Sequence, residues 1–375
     1  MQERIRIMSE NKITRRDWIA GAAQLAAAAA LPVRSLAQSQ PQNETQTAQQ
    51  PNTGSGRAAW MQNPRYAWGV MTHYLADWQS RVNHLDMSVD QWNKMVDGFD
   101  VDAMAKRLDS VGAGHYQISI GQNSGYYLAP NPVYDKLVGI SPSKCSHRDL
   151  VADFYQSLHS RDIKLMVYLP SGAPGGDRVA REALEWQNGP YPNRNFQRKW
   201  QQVIAEWSHR WSSKVVGWWF DGCYFPNSMY RSADPPNFAS FGAAARAGNP
   251  DSAVAFNPGV IYRLISISPD EDFTAGEIDK PDLASVHRAA DGLIDGTQLH
   301  MLSFLGEKWG MGAPRFSTDQ VIGYTKKIRD YGGSVTWDVP VSIDGTIADA
   351  FLEQLTALGK AFPRTAPGAP TAAPA

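Results

Sequence analysis

The 375-residue chain lacks what would mark a disulfide scaffold, a thiolate metal site or a nucleic-acid binder. It has only two cysteines, Cys145 and Cys223, too few for a disulfide framework or a cysteine-ligated metal. Its charge is balanced, with 36 Lys and Arg against 37 Asp and Glu. That removes any electrostatic case for nucleic acid or an anionic membrane as partner. No Gly-rich phosphate loop follows the first predicted strand, so a nucleotide-binding sheet is disfavoured, and nothing in the sequence calls for a cofactor. What the chain does have is apolar and aromatic surface: 43% hydrophobic residues, with 13 Trp and 14 Tyr. This is enough for a sizeable core, and such rings either fill that core or stack on sugars.

The N-terminus reads as a targeting segment. Thr14-Arg15-Arg16-Asp17-Trp18-Ile19 precedes an alanine-rich apolar run from Ile19 to Leu31, and Ser35-Leu36-Ala37 offers small residues for cleavage. The run is shorter than the ~20 residues that span a bilayer. Residues 1–37 are therefore expected to be a twin-arginine signal peptide. The mature protein would begin near Gln38, leave the cytoplasm folded, become periplasmic or secreted, and have no membrane partner. Residues 38–58 read as a disordered Gln/Asn/Thr/Pro linker and residues 364–375 as a disordered tail.

The stretch around which the body is organised is Val215 to Asn227. An apolar run to Phe220 stops at Asp221-Gly222, as a buried parallel strand does where its turn begins. Asp221 is either a turn cap or an acid at the carboxyl end of a strand, where α/β folds place their chemistry. Further strands are predicted at Ala67–Tyr74, Gly114–Gly121, Ile163–Pro170, Ser252–Asn257, Thr297–Phe304 and Ser334–Val339. A weakly signalled sixth lies between Asp272 and His287. Helical spacing predicts helices at Val101–Val111, His147–Ser160, Phe196–Trp211, Asn237–Ala247, Asp319–Tyr331 and Ile347–Phe362. Eight alternations predict a single α/β domain, a (β/α)8 TIM-type barrel over residues 59–363, with a doubly wound open sheet as competitor.

A barrel would gather on one face His73, Gln122, Asn123, Pro170, Ser171, Asp221, Asn257, Pro258, Glu277, Trp337 and Asp338. His73 could instead be a hydrogen-bonded core histidine, and Asp338 a turn cap before Pro340. Taken together the ends describe an aromatic-walled pocket with at least two carboxylates. Glycoside hydrolysis needs such a pair, one to protonate the leaving oxygen and one to attack the anomeric carbon or activate water.

These residues resemble the α-L-fucosidase family of retaining glycosidases, glycoside hydrolase family 29, or a distant relative of it. Gly69-Val70-Met71-Thr72-His73-Tyr74 is similar to the family's first strand, and Gly112-Ala113 to the pair before its second. Trp219-Phe220-Asp221-Gly222 matches the nucleophile segment and Thr274-Ala275-Gly276-Glu277 the acid/base segment. Trp309-Gly310-Met311 echoes the element after strand seven, and Asp338 through Asp344-Gly345-Thr346-Ile347 the end of strand eight. The resemblance implies a nucleophile at Asp221, an acid/base at Glu277, and sugar contacts from His73, Gln122, Asn123, Trp219, Asn257, Trp309, Trp337 and Asp338. The family's second strand ends in two histidines that hold the sugar; Gln122-Asn123 stands there, which keeps a carbohydrate site and leaves the sugar open. The family commonly adds a C-terminal β-sandwich, which is not expected in this chain.

Two other readings compete. A catalytically silent barrel would bind glycan without a placed acid/base, and a metal-dependent hydrolase would use His73, His287 and His300, although strand one offers one histidine rather than a pair. Within DEDFTAGEID, Glu271 reads as part of a solvated acidic run, whereas Glu277, between Gly276 and Ile278, is better placed to be desolvated. A Cys145–Cys223 disulfide is also conceivable in an oxidising compartment.

Overall fold

The computed structural model describes residues 55–287 and 292–364; the twin-arginine segment, most of the predicted linker and the tail beyond Arg364 lie outside them. Among the described residues nine strands form in chain order: β1 Trp68–Thr72, β2 His115–Ser119, β3 Lys164–Pro170, β4 Gly217–Asp221, β5 Ala253–Phe256, β6 Leu293–Ile294, β7 Thr297–Gln298, β8 His300–Phe304 and β9 Ser334–Asp338. Seven make one sheet in the order β5-β4-β3-β2-β1-β9-β8, every pair parallel, and β6 and β7 form a separate short hairpin. The predicted helices occur as Val101–Val111, Leu150–His159, Arg194–Trp211, Phe238–Ala245, Thr318–Arg329 and Asp349–Ala361. Such an alternation with an all-parallel curled sheet fits a (β/α)-type barrel.

Side chains alternate across each strand with period two, and here both faces are buried. Outward-facing Trp68, Val70, Tyr116, Val167, Trp218, Phe220, Val254, Val335 and Trp337 pack in the main core with the helices. Inward-facing Met71, Met166, Tyr168, Trp219, Ala255, Phe273, Ala275 and Leu302 form a second core inside the curl. Two buried faces explain why the strands read as almost unbroken apolar runs.

The predicted sixth strand is not a regular one. The segment Asp272–Ile278 runs between β5 and β8: the Asp272 amide donates to the Val254 carbonyl at 2.8 Å, and the Thr274 and Ile278 amides donate to the Gln298 and Leu302 carbonyls at 2.9 Å each. Gly276, at φ +61°, interrupts it; a side chain there would strike the His300 carbonyl, 2.1 Å from where its Cβ would sit. No sandwich follows the last helix among the described residues.

Regular structure already occupies the last residues of the predicted linker. Ser55–Ala58 is helical; Arg57 pairs with Asp272 at 3.4 Å, and Ala58 is fully buried in the inner core. At the other end Arg364 pairs with Asp109. Near the amino ends of the strands, Thr336 Oγ1 lies 2.7 Å from His115 Nε2 and 2.8 Å from His300 Nε2, with all three residues fully buried. Trp60 packs edge-on against His115, with ring centroids 5.7 Å apart.

Cys145 and Cys223 are both free and buried, so the conceivable disulfide does not form. Cys145 is tied into the loop after β2, where its amide donates to Ser143 Oγ at 3.0 Å, whereas the Cys223 amide donates to the Asn257 carbonyl at 2.8 Å. The strand between them keeps the loops apart.

Candidate active site

Asp221 ends β4 with its side chain turned into the curl, and three neighbouring elements close on it. Tyr168, on β3, donates its hydroxyl to Asp221 Oδ2 at 2.5 Å. Asn257, directly after β5, donates from Nδ2 to Asp221 Oδ1 at 2.8 Å and from the same atom to Glu277 Oε2 at 2.7 Å. Its own Oδ1 accepts the Gly259 amide at 3.1 Å, which fixes the amide with nitrogen toward the carboxylates. Sharing one nitrogen, the two carboxylate oxygens lie within about 5.5 Å of each other, the scale on which retaining glycosidases set their pair. Burial, and then the Asp221 charge, push the Tyr168 phenol well above its ordinary pKa, so it is a standing proton donor.

A second polar pair lines the same end. His73, just past β1, places Nδ1 2.8 Å from Asp338 Oδ1, and Asp338 Oδ2 accepts the Gly310 amide at 2.5 Å. Trp78 stacks on the His73 ring at 4.8 Å, while Tyr168 and Trp309 meet it edge-on at 5.3 and 5.7 Å. Trp219 stacks on Tyr168 at 5.4 Å and donates Nε1 to the Ala275 carbonyl at 2.9 Å, steadying the segment that carries Glu277.

The structure thus brings together Asp221, Glu277, Asn257 and Trp219, and His73 with Asp338 and Trp309. Gln122 joins through Tyr168, to whose hydroxyl oxygen it donates Nε2 at 2.5 Å. Asn123 is exposed, its carbonyl accepting the Gly176 amide at 2.8 Å. Trp337 points the other way: it is fully buried toward the helices and donates Nε1 to Thr325 Oγ1 at 3.0 Å. Tyr168 and Trp78 were not anticipated. For Tyr168 the signal was available, because in KLMVYLP the inward set is Met166, Tyr168 and Pro170.

The acidic run is not solvated as expected. Glu271 is 1% exposed; its oxygens accept the Ile267 and Phe256 amides at 2.6 and 3.3 Å, and burial raises its pKa to about 7. Asp272 is buried by Arg246, at 2.5 Å, and by Arg57. Partners this remote in sequence leave no local trace. The three histidines of the metal reading are not gathered: His73 follows β1, His300 opens β8 in the buried trio with Thr336, and His287 is exposed in a loop. Among the described residues no group of three or more His, Cys, Asp or Glu is placed to hold a metal ion.

No family model and no curated protein matches the chain. Solved structures do. Endo-fucoidan hydrolase MfFcnA4 from glycoside hydrolase family 107 aligns with a TM-score of 0.63 at 16% identity, over 83% of this chain and 54% of that one. This chain therefore spans about half of that protein's length. Endo-fucoidan hydrolase P5AFcnA, of family 107 too, gives 0.61 at 15%, over 82% and 93%. Alpha-L-fucosidase isoenzyme 1 from Paenibacillus thiaminolyticus gives 0.55 at 16%, over 82% and 76%. The likeness is one of fold. It spans fucosidases and fucoidan hydrolases alike, so it does not single out family 29.

Proposed function

We propose that the chain is a retaining glycoside hydrolase acting on a carbohydrate of the fucoside or fucan type, with Asp221 as nucleophile and Glu277 as acid/base. The observation that carries this reading is the amide of Asn257, which holds both carboxylates on one nitrogen. At that spacing one carboxylate can attack the anomeric carbon while the other protonates the leaving oxygen and later activates water. Asp221, with donors on both oxygens, suits the nucleophile. Glu277 is 9% exposed beside Ile278, in the partly desolvated setting that an acid needs. His73, oriented by Asp338, together with Trp309 and Trp78, would form the wall that holds the sugar. Asp272–Ile278 would take the sixth position and close an eight-stranded barrel. The likeness to enzymes whose names carry fucose or fucoidan favours this substrate class.

The test is a panel of aryl glycosides, including the α-L-fucoside, together with fucan polysaccharide, applied to wild type and Asp221→Ala. Hydrolysis is expected for at least one substrate, with a loss of about a thousandfold or more in the folded variant. Activity that survives the substitution would reduce Asp221 to a turn cap. A wild type that binds glycan without cleaving any would favour the silent barrel.

A further inference from the structure

Gln122 stands three residues past β2, where the resembled family keeps a sugar-holding histidine, yet its amide nitrogen is already engaged. It donates Nε2 to the Tyr168 hydroxyl oxygen at 2.5 Å, and that hydroxyl donates to Asp221 Oδ2, also at 2.5 Å. The polarity is forced. Tyr168 has one hydroxyl proton, Asp221 as a carboxylate can only accept it, and the side chain behind Tyr168 must therefore donate. The other end of Gln122 is held loosely, with Oε1 3.5 Å from Asn123 Nδ2.

We infer that Gln122 is a positioning residue for Asp221, acting through Tyr168 rather than binding the sugar. This rests on the functional reading above only for its kinetic consequence. A donor on the phenol oxygen polarises the O–H bond and strengthens its hydrogen bond to the carboxylate. That chain orients the Asp221 carboxylate and occupies Oδ2, while Asn257 occupies Oδ1. A histidine in this place donates only from the correct ring nitrogen, whereas an amide donates at every pH. Gln122 therefore makes the arrangement independent of protonation at this position.

The test uses Gln122→Met, which removes the donor at similar length, Tyr168→Phe, and the double variant. Proton NMR of the wild type should show a far-downfield hydroxyl signal that Tyr168→Phe abolishes and Gln122→Met moves upfield. On an aryl glycoside Gln122→Met should lower kcat about tenfold with KM within about twofold, and should add little to the loss in Tyr168→Phe. Absence of the signal, a signal unmoved by Gln122→Met, or single losses that multiply in the double variant would overturn the inference. A loss carried by KM would make Gln122 a sugar ligand and overturn it equally. If the wild type hydrolyses no glycoside, the functional reading fails while the hydroxyl signal still decides the relay.

Discussion

Asn257 has one amide group and serves two acids with it. Removing either acid should have a distinct chemical signature, and Glu277 offers the more informative one. In Glu277→Ala, a substrate with a good leaving group should still glycosylate Asp221, because no proton is needed at that step, and then stall because no base activates water. Azide should restore turnover and give a glycosyl azide of retained configuration, identified by NMR of the product. An inverted azide, or rescue confined to Glu271→Ala, would contradict the assignment. At this scale strand parity decides which predictions survive. Trp337 and Asp338 are adjacent on β9, so they cannot both face the curl; Asp338 does, and Trp337 lies against Thr325. That exclusion was legible in the sequence, as was the inward register of Tyr168. The burial of Glu271 was not, since its donors are the Phe256 amide at the end of β5 and the Ile267 amide in the irregular loop that follows, which only the fold brings together.

The element that shows parity most cleanly is β4, where Trp218 faces the helices and Trp219 the curl. Trp218→Ala should lower stability by about 3–5 kcal/mol, as large core deletions do, while leaving KM of the remaining folded enzyme nearly unchanged. Trp219→Ala removes the stack on Tyr168 and the bond to Ala275, so activity should fall with stability. Chemical denaturation and steady-state kinetics on both variants check the contrast; equal kinetic damage would contradict the two-sided strand. The six predicted helices and the regular strands were readable because each carries its own apolar period and end signals, such as the Asp100 side chain capping Ala103 at 2.9 Å. The Asp272–Ile278 segment was not, because its partners are supplied by β5, β7 and β8 and its course is broken at Gly276. The β6–β7 hairpin likewise divides what reads as one long strand from Thr297 to Phe304.

For the whole molecule, two kinds of buried titratable group set opposing pH limits. Glu271 is raised from 4.5 to about 7, so the folded chain holds a proton that the unfolded chain releases. Its stabilising contribution is complete below about 4.5 and is lost as pH rises through about 7. His115 and His300 are lowered from 6.5 to about 3 and about 4, chiefly by burial. Their contribution is complete above about 6.5 and falls away in acid, by up to about 2 kcal/mol each by pH 5. Two histidines outweigh one carboxyl there, so these groups together make stability rise from acid to about pH 7 and then level off. Melting temperatures across pH 4–8 should show Glu271→Gln steepening the rise between about pH 5 and pH 7, because the opposing carboxyl is gone; an unchanged profile would mean that Glu271 is not protonated in the fold. Export belongs to this scale too. Replacing Arg15 and Arg16 together by lysine should leave the precursor in the cytoplasm, whereas the wild type should be recovered outside it with an N-terminus near Gln38. Precursor processed normally in the variant would rule out the twin-arginine route.

The trio of His115, Thr336 and His300 has a stricter consequence than burial alone. His300 Nδ1 faces the Thr274 carbonyl at 3.1 Å, and a carbonyl only accepts, so His300 carries its proton on Nδ1 and leaves Nε2 bare. Thr336 must then give its single hydroxyl proton to His300, and its oxygen must receive an N–H from His115 Nε2. Two imidazoles that touch the same oxygen through the same ring atom are thereby locked into opposite tautomers. The floor of the curl acquires a direction of proton donation, running from β2 through β9 to β8, that the symmetry of its residues conceals.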